Sequence, residues 1–132
     1  MTAPAFLLSA LMLLTGSLPA HAEPCCDPAS PFRIGEGYAD HPATCANTRF
    51  WLDHAPDDDG RISMTVRGRL SVVEFDGTLA YLIMCEEPEA RVLCVTYQTG
   101  GFKPGETVVF GGGFQSAGEN RIMLDPCLAS PK

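Results

Sequence analysis

From Ile62 to Val72 the chain alternates with almost no exception. Ile62, Met64, Val66, Gly68, Leu70 and Val72 are separated by Ser63, Thr65, Arg67, Arg69 and Ser71. Side chains on a strand point to opposite faces in turn, so a period of two over this length specifies a long strand with one face buried. Asp76-Gly77 follows, a dipeptide suited to a tight hairpin turn, and the chain returns through Thr78 to Cys85. A two-residue turn there pairs Phe75 with Thr78, Val72 with Tyr81, Leu70 with Ile83 and Gly68 with Cys85. Gly68 in mid-strand predicts a bend or bulge.

Three more strands are predicted downstream. Glu87-Pro88-Glu89-Ala90 makes a turn into Val92–Tyr97, and Gly100 to Gly105 forms a loop. Thr107–Phe114 is a strand interrupted by Gly111-Gly112-Gly113, and a turn at Ala117 to Asn120 leads to Arg121–Leu124. Five short strands, the first long and bent, predict an all-β fold: a small five-stranded antiparallel OB-like barrel over residues 61–127. No helix is predicted between the third and fourth of these strands.

The preceding segment, 23–60, reads as an irregular Cys- and Pro-rich arm with prolines at 24, 28, 31, 42 and 56. Either a short helix from Pro42 to about Asp53, with Asp40 as its cap, or a strand over Arg49–Leu52 fits the pattern. Phe32, Tyr38, Phe50 and Trp51 need burial that the arm alone does not supply. Asp57-Asp58-Asp59-Gly60 invites comparison with a calcium loop, but the first ligand position would fall on Ala55, so it reads as a solvated turn.

Residues 1–22 contain no Asp, Glu, Lys or Arg. Their apolar centre spans Ala5 to Leu14, and Ala20-His21-Ala22 matches the small-x-small cleavage pattern, so they read as a signal peptide. The apolar run is shorter than the roughly 20 residues a spanning helix needs. Ala22-Glu23-Pro24 before Cys25 is a poor lipidation site, so no stable membrane anchor is expected and the product is expected to be periplasmic or secreted. All six cysteines follow the cleavage site. An even count in a small exported domain predicts disulfides, and no C-x-x-C pair suggests a metal site. Cys85 and Cys94, symmetric about their turn, are expected to pair. Cys127 is expected to join Cys25, Cys26 or Cys45, and Cys25 and Cys26 are not expected to join each other, because neighbouring Cα atoms sit about 3.8 Å apart.

The net charge is −7, from 9 Lys and Arg against 16 Asp and Glu. Such a surface repels phosphate backbones and argues against a nucleic-acid partner. No nucleophile–base set is visible, and His41 and His54 both lie in the arm. The expected hairpin register places Arg67, Arg69, Leu82 and Met84 on one outward face, which is the ligand-binding surface the sequence suggests.

The stretch from Val92 to Cys127 resembles the exported OB-fold group, and the haem chaperone family of cytochrome c maturation in particular. The matching residues are Val95, Tyr97, Pro104, Gly105, Val108, Val109 and Gly112. The resemblance implies the barrel. It does not carry over haem attachment, because that family uses a His in an H-x-x-x-Y motif, whereas this chain has Cys127 near that place and Pro131 four residues on. The expected function is an exported, non-enzymatic binding or accessory module without a cofactor, its partner an unknown small molecule or protein outside the cytoplasm. The alternatives are a haem or metal carrier and a small exported hydrolase or redox enzyme.

Overall fold

A computed structural model describes residues 2, 3, 16, 25–58 and 60–132. The expected signal peptide and its cleavage site lie outside the described residues, apart from those three isolated positions. Among the described residues seven strands and one helix follow in the order β1 (Phe32–Ile34), β2 (Ala43–Thr44), α1 (Thr48–Asp53), β3 (Ile62–Phe75), β4 (Ala80–Met84), β5 (Arg91–Thr96), β6 (Thr107–Ser116) and β7 (Arg121–Pro131).

The last five strands close into a barrel in the order β3-β4-β5-β7-β6, with β6 returning to β3. All of these pairings are antiparallel except β5 with β7, which is parallel. The five-stranded barrel expected from the sequence is therefore present, in a mixed rather than wholly antiparallel form. β3 makes closure possible because it is long enough to serve two partners. Residues Ser63 to Arg69 pair with β6, and Leu70 to Phe75 pair with β4. Met64, Val66, Leu82, Met84, Val92, Val108, Phe110, Ile122 and Leu124 fill the interior.

The arm occupies the edge of β3 that β4 leaves free. β1 pairs with it antiparallel at Met64 and β2 parallel at Val66. Consequently Ile62 to Val66 are all buried, although only the apolar members of that run face the core. The polar members are satisfied by the arm: the Ser63 hydroxyl donates to the Gly35 carbonyl at 2.6 Å, and Thr65 Oγ1 accepts from the Ala39 amide at 2.8 Å. Burial without those bonds would cost each hydroxyl about 1–3 kcal/mol. Of the two readings of the arm, the helix is the one found, over Thr48–Asp53. Its N-cap is Asn47 rather than Asp40, with no side-chain capping bond. Thr48 anchors it by donating to the Ala90 carbonyl at 2.8 Å, while Trp51 and Leu52 pack on the core.

The hairpin register differs from expectation. Phe75 pairs with Ala80, so the turn holds Asp76 to Leu79. Asp76 Oδ1 accepts from the amides of Thr78 (2.8 Å) and Leu79 (2.7 Å), which stabilises the four-residue turn over a two-residue one. A register shift between Leu70 and Val72 then adds a bulge. One extra residue sends every later side chain to the other face. Ala80, Leu82 and Met84 thereby point inward, and Tyr81 and Ile83 point outward. Gly68 lies beneath the tether between arm and barrel: a Cβ there would come within 2.6 Å of the Cys45 sulfur and 2.9 Å of the Met84 sulfur.

The cysteines pair as Cys45–Cys85, Cys94–Cys127 and Cys25–Cys26, with no free thiol among the described residues. Cys85 does not meet Cys94, because Cys94 stands opposite Leu82. The partner of Cys94 thus lies three residues before Cys85, and the turn closes early, from the Glu89 amide to the Glu86 carbonyl. Cys127 bonds inside the barrel to Cys94, their Cα atoms 5.4 Å apart, and not to the arm. The arm is nevertheless tethered, through Cys45 and Cys85 with Cα atoms 5.0 Å apart. Cys25 and Cys26 bond to each other against expectation, with a cis peptide between them that brings their Cα atoms to 3.1 Å.

Candidate functional site

Gly111, Gly112 and Gly113 sit where β6 meets β7, and each has a neighbour that excludes a side chain. A Cβ on Gly111 would overlap the Tyr38 ring. On Gly112 it would overlap the Pro126 carbonyl, and on Gly113 it would come within 2.7 Å of the Asp125 carbonyl. The β6–β7 register shifts at this point, between Gly112 and Phe114. Close strand approach plus a bulge explains the triplet. The space beside each glycine is filled by the protein itself, the Tyr38 ring against Gly111 and the β7 backbone against Gly112 and Gly113.

The three glycines also line a groove of about 650 Å³. Cavities of roughly 300–1,000 Å³ are the usual size for small-molecule sites. Tyr38 forms one wall, lying on Gly111 and still 49 % exposed. Tyr97, 74 % exposed, and Leu128, 64 % exposed, stand at the end of β5 and on β7. Val95 and Pro126 complete the apolar lining. The loop carrying Tyr38 is held to the start of β3 by the Gly35 amide bonding to the Arg61 carbonyl at 2.7 Å. At that end Arg61 and Glu36 form an ion pair at 2.9 Å. Asp125 lines the groove from β7 and has no ion pair among the described residues. A second depression, of about 310 Å³, continues past Arg61 and Asp125 toward Asp58 and Gln115.

The surface expected from the sequence is divided by the structure. Leu82 and Met84 are 0 % exposed and belong to the core, so they cannot contribute to an outer face. The bulge after Leu70 is the physical reason. Arg67 and Arg69 are exposed as expected, but on the β3–β6 side, where Arg69 Nε donates to the Gly105 carbonyl at 3.3 Å. Neither lines the groove. The sequence alone marks the glycine triplet as a strand interruption and Tyr38 as an aromatic in need of burial, and neither as part of a site. The available signal was three successive glycines in a strand, a position where backbone is exposed to whatever lies above.

Outside the groove, Asp76 also accepts from the Tyr81 hydroxyl at 3.1 Å. The amides of Leu79 and Thr78 hold the Asp76 carboxyl below its usual range, with a smaller contribution from Tyr81. The same Asp76 bond raises the Tyr81 hydroxyl, with Asp76 and Asp125 charges adding to it. On the helix, Phe50 stacks on His54 at 4.2 Å, and His54 Nδ1 lies 2.7 Å from the Phe50 carbonyl. Among the described residues no group of three His, Cys, Asp or Glu side chains is arranged to hold a metal ion, and no helix is long and apolar enough to cross a membrane.

No protein-family model and no curated protein matches the chain. The barrel agrees with the OB-like expectation, while the likeness to the haem chaperone gains no support from these comparisons.

Proposed function

We propose that this chain is a non-enzymatic binding or accessory module that works outside the cytoplasm and holds a small molecule in the groove lined by Tyr38, Tyr97 and Leu128. The observation that carries this reading is a groove of about 650 Å³ flanked by two exposed tyrosines, Tyr38 on the arm and Tyr97 after β5, with the Cys94–Cys127 bridge bracing the β5–β7 side. Tyrosines offer flat, rigid contact area at low entropic cost. Paired cysteines suit an oxidising compartment, which supports the exported location independently of the leader.

The test is to purify the protein from its native exported fraction and examine it by native and denaturing mass spectrometry. The product is expected to begin at Glu23 and to carry a small molecule that Leu128→Trp, which crowds the groove at an exposed position, releases. A product retaining Met1 in the cytoplasm overturns the location. A ligand retained undiminished by Leu128→Trp overturns the groove as its seat.

A further inference from the structure

The chemistry of the lining narrows what the groove accepts; this step rests on the binding reading above. We propose that the ligand is an organic cation: an ammonium, phosphonium or guanidinium centre carried on an apolar body.

Three ionised side chains line the groove, and two of them cancel. Arg61 and Glu36 pair at 2.9 Å, which leaves the Asp125 carboxylate as the net charge. A neutral apolar ligand seated here would strip water from that carboxylate without replacing its partner, an unfavourable exchange. An anion would face Asp125 directly, and the only cation in the lining is already engaged. A cation meets the opposite situation. Asp125 supplies the counter-charge, and Tyr38 and Tyr97 supply ring faces whose negative quadrupole attracts a cationic centre within about 6 Å. Val95, Pro126 and Leu128 suit the apolar body. The influence of Asp125 reaches beyond its own position, since its charge helps to raise the Tyr81 hydroxyl. At longer range the net charge of −7 attracts cations and repels anions.

Tetraphenylphosphonium and tetraphenylborate have nearly the same shape and opposite charge, so they separate charge from fit. Calorimetric titration of the oxidised protein with each is the experiment. The phosphonium is expected to bind at least about tenfold more tightly than the borate, with an affinity that falls as salt rises. Asp125→Asn, with its fold checked by circular dichroism, should weaken phosphonium binding roughly fivefold and narrow the ratio. Tyr97→Leu should weaken it by a smaller factor while keeping apolar contact. Equal or tighter borate binding, or an Asp125→Asn variant with unchanged phosphonium affinity, overturns the cation inference and leaves the groove reading standing. Binding of neither ion also overturns the cation inference. The groove reading is then decided separately, by whether Leu128→Trp releases the natively bound molecule.

Discussion

The arm meets the barrel in two ways. Around β1 and α1 it delivers Phe32 into the core, with the Phe32 ring edge-on to Trp51 at 6.3 Å and to Phe114 at 5.2 Å. A few residues later the same arm delivers Tyr38 onto Gly111 and leaves it half exposed. Both are aromatic, and both lie against the barrel. What differs is the surface beneath: the end of the barrel takes Phe32 in among core side chains, whereas the glycine backbone has room under a ring but no depth. The arm is thus part of the core at one place and the wall of a groove at another, and the barrel residue below decides which.

The largest expected effect follows from the buried side. Phe32→Ala, at a position 1 % exposed, should cost about 3–5 kcal/mol, while Tyr38→Ala should cost far less. Thermal melts of the two variants would compare them directly, and equal losses would erase the distinction between core and wall. The tether comes next. Cys45→Ser with Cys85→Ser opens a loop with a sequence separation of 40 residues, for which chain entropy gives about 4 kcal/mol, with measured losses of about 2–4 more typical. If the arm contributes to the core as argued, this variant should also lose near-ultraviolet signal from Trp51 before the barrel unfolds.

A smaller change is expected from Gly111→Ala, which must displace the Tyr38 ring or shift the strand, at roughly 1–3 kcal/mol. Adding Tyr38→Ala should recover much of that loss, because the obstruction is gone. A double-mutant cycle with no coupling would show that Tyr38 does not rest on Gly111.

The smallest effect is on pH response. The Asp76 carboxyl is held below 3.8, so its contribution is fully present above that pH and fades as pH falls through the lower folded value. Tyr81 is held above 10.0, so its contribution is present below that pH and fades as pH rises through the higher folded value. NMR titration should show both shifts, and Tyr81→Phe should move the Asp76 midpoint partway back toward 3.8, the amides of Leu79 and Thr78 retaining most of the shift.

The barrel was legible in the sequence because β3 writes its faces plainly up to Leu70. Beyond it the sequence is ambiguous for a physical reason. Ala80-Tyr81-Leu82-Ile83-Met84 is apolar on both faces, so β4 does not declare which side is inward and had to borrow its facing from β3 through an assumed turn. The Asp76 side chain chose a longer turn and the bulge changed the facing. Everything hung on that register moved with it, including the ligand surface at Leu82 and Met84 and the Cys85–Cys94 bond. The groove was illegible for another reason: it is made by β6, β7, the end of β5, the start of β3 and a loop of the arm, which approach one another only once the barrel is closed. Glycine signals such proximity without naming the neighbour.

β3 carries a further consequence, in time rather than in space. Its partners include β1 and β2 before it, β4 immediately after it and β6 some forty residues along. The hairpin with β4 can form alone, but the arm has no strand to pair with until β3 exists, and β3 has no second edge partner until β6 arrives. Chains dominated by such distant pairings fold over roughly milliseconds to seconds rather than microseconds. During that interval Cys45 of the arm precedes its barrel partner in the chain, so the order in which the two barrel bridges form should follow the strands. Cys45 can find Cys85 once β3 and β4 are paired, whereas Cys94 must wait for Cys127 on the last strand of all.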